Sequence, residues 1–366
     1  MAYIHNKGNP SSDIWVIVNR PLPNDIDRKY VFSSGIGYVF DKMMKEAGLG
    51  DYFVTCYCPD TDSPNAYRNI DGELNSYRPS IILAIDTASA KLCTELVPKR
   101  QGKNYDPDVD SEISKYCGSL LRSQYLSYPH YVMPLLSPST IVQQYKLREQ
   151  VLLDLCKAKH EIEYVKKHGN LQPLPIRKLE YNFADFDELL YIIDSFVNSE
   201  YISTDIETIY PKSDSKYYGQ TPGVPVVIGL APSKDFGISF DMFREKVCET
   251  RRLWQSLDRV FRNTKIIGQN FFNFDSYYLE ALGFEFDYES IYDTLIRHHV
   301  LWPELPHSLQ YMTRQYTREP YYKDEGQGWS PKNMEGLKRY NCLDATVTYE
   351  VFEGEEQEFD DRPHLR

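Results

Sequence analysis

Asp205, Glu207, Asp275 and Asp344 are the residues whose chemistry stands out, because carboxylates brought together from separate elements can hold divalent cations that hydrolyse phosphodiesters. Asp205-Ile206-Glu207 closes an apolar run, Asp275 ends Asn270-Phe271-Phe272-Asn273-Phe274-Asp275, and Asp344 lies four residues after Tyr340. Two unit charges about 4 Å apart repel by roughly 4 kcal/mol at an effective dielectric of about 20, so four acids in one cleft need compensation. All-oxygen ligands favour Mg²⁺ or Mn²⁺, whereas zinc usually recruits His or Cys, which these motifs lack. Two divalent cations, Mg²⁺ or Mn²⁺, are therefore the expected cofactors.

Local pattern places these groups. Glu200 to Glu207 alternates apolar and polar residues, as a half-buried strand does, and puts Asp205 and Glu207 on one face. The stretch Asn333 to Phe352 lacks Pro, and Met334, Leu337, Val347 and Val351 recur near helical spacing, so Tyr340 and Asp344 stack one turn apart. Asp275 falls at or near the start of a helix through Tyr277, Tyr278, Leu279 and Leu282; the pattern leaves its orientation open.

Residues from about 180 to 356 resemble the DEDD family of 3′-5′ exonucleases, in the tyrosine-containing branch that proofreads for family A DNA polymerases. The resemblance rests on Asp205-x-Glu207-Thr208, Asn270-x-x-x-Phe274-Asp275 and Tyr340-x-x-x-Asp344. Supporting it are Ile266-Ile267-Gly268-Gln269-Asn270, Tyr292-Asp293-Thr294 and Leu305-Pro306-His307-Ser308-Leu309, with Gln269 where many relatives carry His. The resemblance implies a ribonuclease H-like fold. It also implies that Asp205, Glu207 and Asp344 hold a first metal, that Asp205 reaches a second, and that Asp275 contacts the second directly or through water. Tyr340 would orient the attacking water, and nucleoside 5′-monophosphates would leave from a single-stranded 3′ end of DNA.

Other residues have competing readings. Thr208, Asn270, Lys338 and Arg339 are candidate substrate contacts, with Lys332 beside the last two; Asn270 serves equally well as a structural residue, and the cations as a solvated helix face. Asp293 reads as a cap or brace, and His298, His299 and His307 as packing residues. The chain has 366 residues and a net charge of -12, which argues against broad nonspecific clamping of DNA and leaves recognition to local cations and bound metal. Its 30 Tyr residues permit base stacking or packing. The seven Cys form no metal or disulfide framework, so reduced thiols and a cytoplasmic location are expected, in a bacterial host if the gene is a phage's. No secretory leader or bilayer-spanning run is found.

His168 to Pro175 breaks a helical pattern, Ile141 to Lys167, whose apolar stripe is Leu147, Val151, Leu152 and Leu155. Upstream, the strand-like runs Asp13–Val18, Tyr52–Thr55 and Ser80–Ile85 alternate with helical stretches, which argues for an α/β layer with a mostly parallel sheet. The expected organisation is α/β throughout: residues 1–168 as one domain with a trailing helix, a linker over 169–179, the exonuclease domain over 180–356 and an acidic tail over 357–366. Glu353 to Asp361 reads as a solvated, disordered end.

About residues 10 to 145 also resemble the uracil-DNA glycosylase superfamily, a three-layer fold. The matching segments are Asn19-Arg20-Pro21-Leu22-Pro23, Ser34-Gly35-Ile36-Gly37, Thr55-Cys56-Tyr57-Cys58-Pro59, Arg78-Pro79-Ser80-Ile81-Ile82-Leu83 and Leu136-Ser137-Pro138-Ser139. Arg20, Cys56 and Ser137 replace the family's acid, Asn and His. An Arg stays protonated and cannot serve as a base, so this module is expected to be catalytically silent and to bind DNA or a replication protein. Residues 345–366 leave no room for a polymerase palm, so the exonuclease is expected to proofread in trans with a separate DNA polymerase. The pairing of modules resembles bacteriophage replication proteins. Two alternatives stay open: a non-catalytic adaptor binding DNA and polymerase, and a bifunctional enzyme that excises uracil and trims 3′ ends.

Overall fold

The computed structural model describes residues 5–21, 23–57, 70–86, 89–90, 93, 113–123, 130–209, 223–326 and 334–365. Leu22, Cys58, Pro59, Lys332 and Asn333, named above, lie outside the described residues. The chain divides into two compact units: Met1–Leu174 with Arg318–Tyr321, and Pro175–Thr317 with Tyr322–Arg366. Both are mixed α/β.

The first unit holds strands β1 (Ile14–Val18), β2 (Phe53–Cys56), β3 (Ile81–Ala84), β4 (Leu121–Arg122) and β5 (Tyr131–Pro134). Its helices are α1 (Pro23–Arg28), α2 (Gly35–Glu46), α3 (Ile70–Tyr77), α4 (Ile113–Tyr116), α5 (Pro138–Gln143) and α6 (Arg148–His168). The sheet order is β2-β1-β3-β5-β4, parallel except where β4 meets β5. Isoleucine and valine dominate β1 because both of its faces are covered, as in parallel sheets generally. Val16, Val54, Leu83 and Met133 pack on one face with Phe40 and Met43 of α2 and Val151 and Leu155 of α6. Trp15, Ile17, Phe53 and Ile82 pack on the other with Ile70 and Leu74 of α3. The expected single helix over Ile141–Lys167 is broken: non-helical backbone at Gln144 and a 3-10 turn at Tyr145–Leu147 separate α5 from α6. Ile141 and Val151, on either side of the break, lie in the same core.

The second unit holds β6 (Lys178–Glu180), β7 (Tyr201–Ile209), β8 (Val224–Ser233), β9 (Phe236–Asp241), β10 (Lys265–Gly268) and β11 (Ile291–Asp293). Its helices are α7 (Phe186–Ser195), α8 (Val247–Asn263), α9 (Asp275–Ala281), α10 (Thr294–Leu301), α11 (Leu309–Tyr316) and α12 (Glu335–Asp361). The sheet order is β11-β10-β7-β8-β9-β6, with β8 antiparallel to both neighbours. Ile202 and Ile206 of β7 join Ile228, Leu230, Ile238 and Phe240 beneath α7 and α8. Strand periodicity turns Ser203, Asp205 and Glu207 to the opposite face, toward α12. Leu343, Val347 and Val351 of α12 in turn pack with Leu309 and Met312 of α11.

Two glycines let α12 lie close to the sheet. A Cβ on Gly229, the cross-strand partner of Asp205, would fall 2.7 Å from Asn341 Oδ1 and 2.9 Å from the Asn341 carbonyl oxygen. A Cβ on Gly237 would fall 2.6 Å from Thr346 Cγ2.

The acidic C-terminal run is a correction to the sequence reading. Glu353 to Asp361 is helical, with Phe359 buried, Glu355 fully buried against Arg297 Nε at 3.1 Å, and Glu358 accepting from Trp302 Nε1 at 2.7 Å. Glu355, Glu356 and Glu358 meet α10 or the residue after it, and Glu353 pairs with Lys234, while Asp360 and Asp361 face solvent. Among the described residues no helix is long and apolar enough to cross a membrane.

Gly229→Ala is expected to lower the unfolding free energy by about 1–3 kcal/mol through overpacking against the α12 backbone. Denaturant titration checks this; an unchanged midpoint and slope would show that α12 does not need the close approach.

Candidate metal centre

Asp205, Glu207 and Asp344 each offer an oxygen, and these oxygens all lie within 4.8 Å of one another. Two come from β7, where alternate positions share a face, and the third from α12. Asp205 and Glu207 are half-buried and Asp344 is buried. Neutral and cationic groups hold them. Asn341 Nδ2 donates to Asp205 Oδ2 at 2.7 Å and to the Asp205 carbonyl at 3.0 Å, while Asn341 Oδ1 accepts from Ser239 Oγ at 2.7 Å. Lys323 Nζ donates to Asp344 Oδ1 and Oδ2 at 2.7 and 2.8 Å, and Tyr322 Oη to Oδ1 at 2.5 Å.

Like charges in a partly dehydrated place hold protons more tightly. Burial, then Asp344 and Glu207, push the Asp205 carboxyl well above the usual range, with Lys323 opposing. Burial and Asp344 raise Glu207 to about 7. Tyr340, one turn before Asp344, is half-buried and receives Lys323 Nζ at 3.1 Å. Burial first, and the nearby acids second, raise its phenol, which therefore stays protonated.

Asp275 stands apart from the cluster of three. It begins α9, is 2% exposed, and its Oδ1 accepts the Ile206 backbone N–H at 3.0 Å. Burial raises it to about 8 against the pull of its backbone donors. Thus the structure gathers three of the four predicted acids and gives the fourth a backbone partner on the strand that carries two of them.

The predicted substrate contacts have protein partners. Thr208 follows a register shift in β7 and pairs with Pro225. Asn270 adopts a left-handed backbone (φ 57°), donates its N–H to Asp293 Oδ1 at 3.0 Å and accepts from Asn273 Nδ2 at 3.1 Å. Lys338 pairs with Asp241 at 2.5 Å, and Arg339 pairs with Glu325. Asp293 caps α10 through the Leu295 N–H and also accepts from Phe272 N. His298 and His299 bond to the His307 ring at 2.7 and 3.0 Å, and burial lowers His298 to about 4. Gln269 links the same region, donating to the His307 carbonyl at 2.9 Å and accepting from Thr294 Oγ1 at 2.5 Å.

Sequence reasoning missed Lys323, Tyr322 and Asn341. Asn341 sits between Tyr340 and Asp344 in the third motif, so its helical position was a usable signal. Lys323 had only the weak signal of one cation in an aromatic, acidic and glycine-ended stretch, Tyr321 to Gly326.

The donor set fits a hard divalent cation: every offered ligand is a carboxylate oxygen, and burial plus mutual repulsion give the acids reason to bind one. No family model and no curated protein matches the chain. Among solved structures, it is similar to the catalytic core of RRP6 from Trypanosoma brucei at 16% identity and a TM-score of 0.41, covering 53% of this chain and 52% of that one. It is similar to the Aedes aegypti Nibbler EXO domain at 16% identity and a TM-score of 0.39, covering 51% and 89%, and to Brucella melitensis NrnC at 14% and 0.36, covering 51% and 84%. The chain thus spans about half the length of the trypanosome core.

Proton linkage gives a test. Ordinary carboxylates titrate near pH 4, so between there and the values of about 7 for Glu207 and about 8 for Asp275 the folded chain binds more protons than the unfolded one. Stability contributed by these protons is present at low pH and lost as pH rises through those values. With chelator present, the melting temperature is expected to fall from about pH 5 to about pH 8. Asp275→Asn, which keeps the acceptor for Ile206, should flatten that slope; equal slopes would show that Asp275 ionises normally.

Proposed function

We propose that this chain is a metal-dependent 3′-5′ exonuclease that removes nucleoside 5′-monophosphates from single-stranded DNA ends, in a ribonuclease H-like domain. The observation that carries the reading is the convergence of Asp205, Glu207 and Asp344 oxygens within 4.8 Å, with Tyr340 one helical turn from Asp344. Asp205, Glu207 and Asp344 would hold divalent ions, with Asp275 contributing through β7 or a water. A bound metal pair supplies an activated water and stabilisation of the departing 3′ oxygen. The chain's own groups do the rest. Asn341 aims Asp205, Lys323 and Tyr322 aim Asp344, and the protonated Tyr340 offers a hydrogen bond to the reacting oxygen.

The same reading makes the enzyme a proofreader in trans for a separate DNA polymerase, with the first unit a silent glycosylase-like module that binds DNA or that partner. The local contacts of the three altered positions support the silent reading. Arg20 is exposed, Cys56 Sγ lies 3.3 Å from the Asn19 carbonyl, and Ser137 Oγ accepts the Ser139 N–H as a helix cap.

With Mg²⁺ or Mn²⁺, 5′-labelled single strands of DNA should shorten stepwise from the 3′ end, and Asp205→Ala with Glu207→Ala should reduce this to background while the fold persists by circular dichroism. Normal rates in that double variant would place the chemistry elsewhere. Equal or faster shortening of RNA would change the proposed substrate and leave the metal centre standing.

A further inference from the structure

We infer that the 3-10 turn Lys323–Gly326 is a positioning clamp for Tyr340, fixing its ring and setting its hydroxyl as a hydrogen-bond donor toward the reacting water; this rests on the exonuclease reading of the site. Four contacts fasten the turn to α12. Lys323 Nζ bridges both Asp344 oxygens and Tyr340 Oη, at 2.7, 2.8 and 3.1 Å. Tyr322, the residue before the turn, donates to Asp344 and sets its ring 6.0 Å from that of Tyr340. Glu325 pairs with Arg339 on the helical turn before Asp344. Gly326 closes the turn against the tyrosine itself: a Cβ there would lie 2.9 Å from both Cε2 and Cζ of the Tyr340 ring.

The polarity follows from the donor. An ammonium carries three protons and no acceptor, so Tyr340 Oη must accept from Lys323. The phenol's one proton then points to the side of the acids, where Asp344 is one acceptor and the reacting water would be the other. Without Lys323, the same oxygen is free to accept from water, and the direction of the bond is no longer set. The ring contact with Gly326 removes the remaining freedom, because the ring cannot swing toward the turn. Arg339, a candidate substrate contact, is also one of the fastenings.

The test is a double-mutant cycle on the full chain with 5′-labelled single strands, by single-turnover rate at saturating Mg²⁺. Lys323→Met is expected to slow cleavage roughly tenfold to a hundredfold with KM unchanged, as a misplaced reacting group does. In the Tyr340→Phe background the same change should cost clearly less, the remainder being what Lys323 does through Asp344. Gly326→Ala should slow the wild type in the same way, and it carries the test should Lys323→Met not fold. Independently of activity, the ¹³C-tyrosine spectrum of the protein in chelator should show the Tyr340 ring resonance, identified by its loss in Tyr340→Phe, shifting in Lys323→Met and Gly326→Ala. Multiplying rate effects in the double variant, or an unmoved Tyr340 resonance, overturns the clamp. A wild type that cleaves no nucleic acid, with the Tyr340 resonance still moving, overturns the exonuclease reading and the hydroxyl's part in it while leaving the ring contact in place.

Discussion

The carboxyl groups of Asp205, Glu207 and Asp344 repel one another, and the second unit is arranged so that they must nevertheless stay together. Strand β7 supplies two because residues two apart share a face, and α12 supplies the third because glycines and small hydroxyls beneath it permit a close approach. Ser239 fixes Asn341, and Asn341 fixes Asp205; the polar chain is complete before any ion arrives. Lys323 offsets part of the repulsion, and it lowers the proton affinity of both Asp205 and Glu207. A site with its donors already aimed loses little order on capturing a cation, which is the physical content of preorganisation.

Asp275 and Asp293 show a second use of buried acids in the same unit. Each accepts backbone N–H groups, Asp275 from Ile206 and Asp293 from Asn270, Phe272 and Leu295, so each fastens chain segments around the cluster. The left-handed backbone of Asn270 allows that segment to turn into α9, which begins at Asp275. The second motif is thus a structural joint as well as a source of charge.

What was legible in the sequence was local. Period-two alternation placed Asp205 and Glu207 on one face, and helical spacing placed Tyr340 and Asp344 one turn apart, because these relations depend only on backbone geometry. The orientation of Asp275 was not legible, since its partner Ile206 is distant in sequence. The same reason hid Lys323 from the site and made Glu353–Asp361 look like a solvated tail. Arg297, which pairs with Glu355 and Glu356, and Trp302, which bonds Glu358, belong to and follow another helix. Composition displays cations without their partners, so it could not show that Lys338 and Arg339 pair with Asp241 and Glu325.

The most direct test of this account is calorimetric titration of Mn²⁺ into the chelator-stripped protein. Saturable binding to the wild type, lost or sharply weakened in Asp205→Asn and Asp344→Asn and retained in a distant surface variant such as Asp187→Asn, is the predicted result. Binding of equal strength in all four proteins, or no binding to the wild type, would contradict it.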